Sequence, residues 1–132
     1  MNIIYNLGIY FYVVLLKFAS LFNAKARLWV KGRRNLFRRL NQIFPVSQLV
    51  IWIHCASLGE FEQGRPLIEK IKAEKPDYFV LLTFFSPSGY EIRKNYPLAD
   101  YVCYLPADTP NNATKFIETV KPNLVYFVKY EF

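Results

Sequence analysis

The stretch that decides the fold is LVIWIHCASLGE, which covers residues 49–60. Its first seven residues are continuously apolar and rich in β-branched and aromatic side chains, which is typical of a strand buried on both faces. The small residues that follow predict a tight turn, and Glu60 stands where a helix should open. A buried strand that turns directly into a helix is the first half of a βαβ unit, so this stretch predicts a parallel sheet.

The same alternation continues along the rest of the chain. Three further apolar runs predict strands, namely YFVLLTFF (78–85), DYVCYL (100–105) and NLVYFVKY (123–130). Helix-like stretches lie between the four strands, at about 60–74, 88–96 and 110–120. The order βαβαβαβ requires right-handed crossovers and therefore predicts an α/β fold, a Rossmann-like parallel sheet with helices on both faces.

Charge divides the chain into two parts. Residues 1–59 contain eight Lys or Arg and no acid, whereas residues 60–132 contain nine bases and ten acids, which gives the net charge of +7. Residues 1–22 are largely apolar and predict a hydrophobic membrane anchor that either spans the bilayer or lies in one leaflet. The basic segment 23–47 then marks the cytoplasmic side and is expected to contact anionic lipids. RNA binding is the rival interpretation, but no nucleic-acid motif accompanies these bases.

Glu60 has two interpretations, as a catalytic base or as part of a helix cap. Ligands of open parallel sheets bind at the carboxyl ends of the strands, where this loop lies. Gly59 allows a ligand to approach the backbone, and the helix N-terminus attracts negative charge. Ser57-x-x-Glu60 also has the spacing of a capping box, and spacing alone favours that structural role. Pro66 argues against the box, because it is expected to kink or restart a helix that begins at Ser57.

Two further loops follow strands at the same edge. The loop SPSG precedes a helix and contains Ser86, Ser88 and Gly89. These residues either contact an anion or a sugar hydroxyl, or they cap the helix. In the second case Glu91 would complete a capping box with Ser88. In the loop PADTP (106–110), Asp108 or Thr109 is expected to cap the helix that the following proline begins. Both loops therefore predict helix starts near the candidate site.

The two cysteines, Cys55 and Cys103, predict buried free thiols. Each lies within an apolar run, and burial in the reduced form is the common state of such residues, with a disulfide as the less favoured alternative. His54 adjoins Cys55, but no second histidine or nearby carboxylate completes a metal site. No Walker loop or other nucleotide-cofactor motif is present either, so we expect no metal and no cofactor.

Four segments in order carry a resemblance to a known family: WIHCASLGEFEQGRPLIEKIK (52–72), LLTFFSPSGYE (81–91), YLPADTPNNATKFI (104–117) and KPNLVYFVKYEF (121–132). Together they resemble the 3-deoxy-D-manno-octulosonic acid (Kdo) transferases, which transfer Kdo from CMP-Kdo to the lipid A precursor, lipid IV-A, in lipopolysaccharide core biosynthesis. The resemblance implies a GT-B glycosyltransferase. Residues 48–132 would be a truncated Rossmann-like acceptor domain, without the C-terminal nucleotide-sugar domain, and we expect this fragment to be inactive alone.

The resemblance also assigns roles to individual residues. Glu60 occupies the position of the general base in the family's S-x-G-E motif. Glu131 matches the second glutamate of an E-x-E-[LF]-W-like motif thought to support the transition state, although Lys129 replaces the first glutamate. The family's Ser/Thr-Pro-Ser/Thr-Gly loop matches residues 86–89. The predicted substrate-binding residues are therefore Ser57, Gly59, Ser86, Ser88 and Gly89.

Location and partners follow from the anchor, the bases and the resemblance. The protein is expected at the cytoplasmic face of the inner membrane. Its expected partners are the lipid A precursor, CMP-Kdo and anionic lipids, and no nucleic acid. A different class of protein stays open, namely a small membrane-tethered α/β binding module that has the same half-Rossmann sheet and no catalytic activity.

Overall fold

The computed structural model describes residues 3–129. Its elements in chain order are α1 (Ile3–Ala19), α2 (Ala24–Gly32), α3 (Leu36–Ile43), β1 (Val50–Cys55), α4 (Leu58–Glu74), β2 (Phe79–Phe84), α5 (Pro87–Arg93), β3 (Tyr101–Tyr104), α6 (Pro110–Val120) and β4 (Leu124–Val128). The four strands and the three helices between them lie close to their predicted bounds. The predicted βαβαβαβ order is confirmed.

The four strands form one parallel sheet in the order β3-β2-β1-β4. The central strand β1 pairs with β2 on one side and with β4 on the other. Cys55, its last residue, lies opposite Phe84 of β2 and Val128 of β4. The carboxyl ends of these three strands are therefore level, and the loops that follow them share one edge.

Strands β1, β2 and β3 are largely buried on both faces because their side chains alternate between two cores, whereas residues 124–127 of the edge strand β4 are exposed. Core residues on the face covered by α4 and α5 include Ile51, Ile53, Phe61, Ile68, Val80, Leu82 and Phe84. Core residues on the face covered by α3 and α6 include Leu36, Leu40, Val50, Trp52, Leu81, Phe116 and Val120. The predicted helices on both faces of the sheet are confirmed.

The basic segment forms two helices. The side chain of Asn23 caps α2 by accepting from the backbone N–H groups of Lys25 and Ala26. Asn35, in the left-handed region at φ 57°, makes the turn into α3. Leu36 and Leu40 of α3 are buried in the core of the sheet, so residues 23–47 contribute to the α/β core. The division of the chain at residues 22 and 47 stays a prediction.

Helix α1 lies on the outside of the protein. None of its described residues is buried. Its contacts include the Tyr12 ring, packed edge-on against Trp29 of α2 at 6.1 Å, and the Tyr5 hydroxyl, which donates to Asp108. Within residues 3–129 no helix combines the length and the apolar character needed to cross a bilayer. An anchoring role for residues 1–22 stays a prediction.

Helix α4 continues through Pro66, so the expectation that this proline restarts the helix is wrong. A proline inside a helix removes one backbone N–H donor and crowds the preceding turn. That local cost is offset by burial, because Phe61 and Ile68 on either side are both fully buried. Each such side chain contributes about 1.5–3 kcal/mol.

Gly64 provides a test of the packing of α4 on the sheet. A Cβ at this position would lie 2.8 Å from Val128 Cγ2 and 3.6 Å from Cys55 Sγ. We expect Gly64→Ala to lower the free energy of unfolding by about 1 kcal/mol, because overpacking of about 1–3 kcal/mol exceeds the gain in helix propensity. Urea unfolding measures the change.

Gly59→Ala on the same helix is the matched control. A Cβ there would meet only Ser57 Oγ, at 3.8 Å. This variant should be neutral or up to about 1 kcal/mol more stable, because only the propensity gain remains. Equal effects of the two substitutions would contradict close packing at Gly64.

Candidate active site

The loop after β1 holds Glu60 in the first turn of α4. Ser57 is the N-cap residue, yet within the described chain its side chain caps no backbone N–H. The Ser57 hydroxyl instead donates to Glu60 Oε2. The capping box that the spacing favoured is therefore not formed. Glu60 Oε1 has no hydrogen-bond partner among residues 3–129, and the carboxylate is half-buried.

The loop after β2 is tied to the loop after β1. The backbone N–H groups of Phe85 and Ser86 both donate to the Ala56 carbonyl, at 3.2 and 2.9 Å. A Cβ on the buried Gly89 would overlap the Phe84 ring and approach the backbone nitrogen of Leu58 to 3.1 Å. The absence of a side chain at Gly89 thus allows α5 to pack against β2 and the start of α4.

The serines of this second loop bond to each other. Ser86 Oγ and Ser88 Oγ lie 2.8 Å apart, with Ser86 half-buried and Ser88 exposed. The expected box of Ser88 with Glu91 is wrong, because Ser86 is the N-cap residue and Glu91 pairs with Lys94 at 3.0 Å. The structure thus places the hydroxyls of Ser86 and Ser88 at the same edge of the sheet as Ser57 and Glu60.

The cap of α6 is confirmed for one of its two candidates. Thr109 is the N-cap residue, and its Oγ1 accepts from the backbone N–H of Asn112 at 3.2 Å. Asp108 is exposed and accepts from the Tyr5 hydroxyl of α1. The loop after β3 therefore has a structural role and also contacts the N-terminal helix.

Glu131 lies outside the described residues, so its predicted role is not tested. The described part of β4 ends at Val128, opposite Cys55, and Lys129 is exposed. This pairing places the carboxyl end of β4 next to the loop that holds Glu60.

Arg33 belongs to the edge of the sheet, although the sequence placed it among the lipid-contacting bases. Its Nε donates to the Leu105 carbonyl at 2.8 Å, and its Nη2 donates to the Phe85 carbonyl at 2.9 Å. The guanidinium carbon lies 3.8 Å from the centre of the Trp29 ring. Burial lowers the pKa of Arg33 to about 9, so the side chain stays charged at neutral pH. The spacing of Trp29 and Arg33, one helical turn apart, is the sequence signal for this contact.

His54 forms part of a buried polar chain. The Trp52 Nε1–H donates to Thr83 Oγ1 at 2.8 Å, and Thr83 Oγ1 lies 2.8 Å from His54 Nδ1. Thr83 is fully buried, and which of Thr83 Oγ1 and His54 Nδ1 donates in this bond depends on the tautomer of the ring. Burial and the nearby Arg33 charge lower the pKa of His54 to about 4, partly opposed by Glu60.

Cys55 and Cys103 are buried free thiols, as predicted. Burial raises the pKa of each thiol to about 12, and the Glu60 charge adds to the effect at Cys55. Since the thiolate is the nucleophilic form, both side chains are unreactive near neutral pH. The acidic and basic groups of the edge that interact with one another include Glu60, His54 and Arg33.

The fold and the site together define a class of protein. A parallel sheet covered on both faces, with a carboxylate at the carboxyl ends of its strands, is a Rossmann-like α/β domain with a candidate acid–base site. The family model described as "3-Deoxy-D-manno-octulosonic-acid transferase (kdotransferase)" matches residues 24–132. The chain therefore belongs to the Kdo transferase family, and the resemblance seen in the sequence is confirmed.

Curated relatives agree with this membership. The 3-deoxy-D-manno-octulosonic acid transferase of Aquifex aeolicus is 33% identical over 102 residues, which are 73% of this chain and 28% of that protein. The Haemophilus influenzae transferase of the same name is 32% identical over 61% of this chain and 19% of its own length. A bifunctional glycosyltransferase/methyltransferase of Fusobacterium nucleatum is 28% identical over 80% of this chain and 17% of its own length. The chain spans less than a third of each relative, and no solved structure matches it significantly.

The lowered pKa of His54 predicts a loss of stability in mild acid. Between about pH 6.5 and about pH 4 the unfolded chain binds a proton at this site and the folded chain does not. The contribution of His54 to the free energy of unfolding is therefore fully present above this window. It is lost as the pH drops through the window, by about 3 kcal/mol in total. Urea unfolding at a series of pH values measures the loss.

His54→Asn is the matched control for this titration. Its side-chain amide can either donate to or accept from the Thr83 hydroxyl, and the side chain does not titrate. The stability difference between wild type and this variant should shrink as the pH falls from 6.5 to 4. A constant difference across that range would contradict a neutral His54 in the folded protein.

Proposed function

We propose that this chain is the acceptor-binding part of a GT-B enzyme that transfers Kdo from CMP-Kdo to the lipid A precursor, lipid IV-A. Membership of the Kdo transferase family supports the reaction class. The observation that carries the site is the Ser57–Glu60 hydrogen bond, because it keeps the carboxylate of Glu60 away from the backbone donors that a capping role would satisfy. Glu60 is then the general base of the transfer.

The geometry of the loop suits proton abstraction. The Ser57 hydroxyl fixes Oε2 of Glu60, and Oε1 stays available to accept the proton of the acceptor hydroxyl. As that proton moves to Glu60, the acceptor oxygen forms a bond to the anomeric carbon of Kdo, and CMP leaves with the electron pair of the broken C–O bond. Gly59 is exposed and leaves room beside the carboxylate, since a Cβ there would meet only Ser57 Oγ.

The donor half of the reaction needs parts beyond the described residues. The chain spans 28% of the Aquifex aeolicus relative, which supports a further domain that binds CMP-Kdo. Glu131, after the strand that pairs with β1, supports the transition state in this proposal, and Ser86 and Ser88 contact substrate hydroxyls. In this proposal the 132 residues alone do not transfer Kdo, and a transfer assay on the isolated chain tests this.

The proposed location is the cytoplasmic face of the inner membrane, with α1 in the leaflet. The outer side of α1 carries apolar residues at alternating spacings of three and four, each at least 60% exposed: Ile4, Leu7, Phe11, Val14 and Phe18. Residues at this spacing share one side of a helix. The bases of α2 and α3 then lie near anionic headgroups, each contributing about 1 kcal/mol.

Glu60→Gln in the full-length enzyme tests the catalytic base. The substitution removes proton acceptance and keeps the size of the side chain, so kcat should fall by about 10²- to 10⁴-fold with the melting temperature nearly unchanged. A radiolabelled-sugar transfer assay measures kcat.

Glu62→Gln is the control for this experiment, because Glu62 lies on the same helix and pairs with Arg93 at 2.6 Å and Arg65 at 3.3 Å. Its kcat should stay within a few-fold of the wild type. Activity that survives Glu60→Gln would refute the role of Glu60 as base.

Phe11→Asp tests the membrane contact of α1. Phe11 is 65% exposed in the protein, so the fold should tolerate the change, whereas burial of a phenyl ring in lipid contributes about 1.5–3 kcal/mol. Sedimentation with vesicles should show binding weakened by at least about 10-fold. Ile92→Asp, at a residue 59% exposed outside α1, is the control and should bind as the wild type does. Equal losses in both variants would argue against α1 as the contact.

A further inference from the structure

A pocket of about 620 Å³ lies between α1, α2, α3 and the loop before α6. Its cationic lining residues are Lys17 of α1, Arg33 and Arg34. Val13, Trp29 and Phe37 supply apolar and aromatic walls. None of the described lining residues is acidic. The pocket therefore combines concentrated positive charge with an apolar wall that begins on α1.

No carboxylate of the described residues pairs with the positive charge of this pocket. Within residues 3–129, neither Lys17, Arg33 nor Arg34 forms an ion pair with a carboxylate, whereas the ion pairs of the structure involve bases of α4 and α5 and the residue after α5. Arg33 uses three of its five N–H donors on backbone carbonyls and has two left. A half-buried guanidinium with free donors and no counter-charge favours the binding of an anion.

The indole of Trp29 provides a second, independent observation. Trp29 is 6% exposed, and its buried Nε1–H has no hydrogen-bond partner among the described residues. A buried donor without an acceptor costs about 1–3 kcal/mol, so such groups in native proteins are usually satisfied. Trp29 lines the same pocket as the three cations. A ligand with several acceptor oxygens in this pocket offers acceptors of the kind that this donor and the two remaining donors of Arg33 lack.

We infer that this pocket binds the phosphate group of an anionic amphiphile, with its headgroup at Lys17, Arg33 and Arg34 and its alkyl chain along α1. Phosphate fits the donor set because it offers several oxygens and matches the planar fork of arginine. The inference deepens the proposed membrane contact and rests on it for the alkyl chain only. The pocket adjoins the candidate active site, since Arg33 bonds to the Phe85 carbonyl and the Phe85 N–H bonds to Ala56, next to Ser57.

The two tryptophans allow a direct measurement on the full 132-residue chain in detergent. The protein carries ¹⁵N-labelled tryptophan, and sodium phosphate is compared with sodium chloride at equal ionic strength. The Trp29 indole resonance, assigned with Trp29→Phe, should shift with phosphate and saturate. The Trp52 indole should stay in place, because its Nε1–H is already bonded to Thr83 Oγ1. A Trp29 resonance that ignores phosphate overturns the inference.

The double variant Lys17→Gln, Arg34→Gln tests the cations. Both side chains are exposed, so the fold should persist, and an unchanged Trp52 resonance verifies this. The affinity for phosphate should fall at least 10-fold. Lys31→Gln, Arg38→Gln removes the same charge from exposed bases of α2 and α3 that do not line the pocket, and should leave the affinity within two-fold. Equal losses in the two double variants indicate diffuse electrostatic attraction and overturn the inference.

Vesicles identify the source of the phosphate. Phosphatidylcholine vesicles with added phosphatidic acid should shift the Trp29 indole, and phosphatidylcholine alone should not. If inorganic phosphate shifts the resonance and phosphatidic acid does not, the phosphate site is supported. The inference that a lipid supplies the phosphate group is then overturned. Because inorganic phosphate needs no membrane, failure of the vesicle contact of α1 or of the role of Glu60 is distinguishable from failure of the pocket.

Discussion

The constraint on which the structure depends is the position of β1 in the middle of a parallel sheet. Its backbone hydrogen bonds to β2 and β4 leave it no exposed edge, and helices cover both of its faces. Val50 and Trp52 therefore pack on one face and Ile51 and Ile53 on the other, which requires an apolar residue at nearly every position. The same parallel register aligns the strand ends, so the loops of the candidate site share one edge.

Arg33 stabilises that edge from the N-terminal side. Two of its three donations to carbonyls link α2 to the chain just beyond β2 and β3, and the third returns to α2 itself. The centres of three aromatic rings lie within 5.0 Å of its guanidinium carbon. Burial of an unpaired cation costs several kcal/mol, and these polar and cation–π contacts offset part of that cost. The cationic field also disfavours protonation of His54. A single side chain thus contributes both to the position of α2 and to the electrostatics at His54.

The sheet could be predicted from the sequence because apolar runs of strand length are separated by helical stretches. This pattern is visible in the local composition of the chain. The sequence did not predict the Ser57–Glu60 hydrogen bond, since a capping box and a side-chain pair need the same spacing and differ only in rotamer. The burial of Arg33 was missed for another reason. Its partner Leu105 is 72 residues away, and charge counted along the chain cannot separate an internal cation from the exposed bases around it.

The arrangement of α1 connects the proposed membrane contact with the proposed transfer site. Tyr5 bonds to Asp108 in the loop after β3, and Tyr12 packs on Trp29 beside Arg33, so α1 lies along the edge that holds Glu60. With the outer stripe of α1 in the leaflet, as proposed, a lipid acceptor reaches that edge without leaving the membrane surface. Its search is then confined to two dimensions, and the hydrophobic cost of extracting its acyl chains does not arise. The apolar exterior of α1 is unfavourable in water. In the proposed membrane position it is the feature that brings substrate to the site.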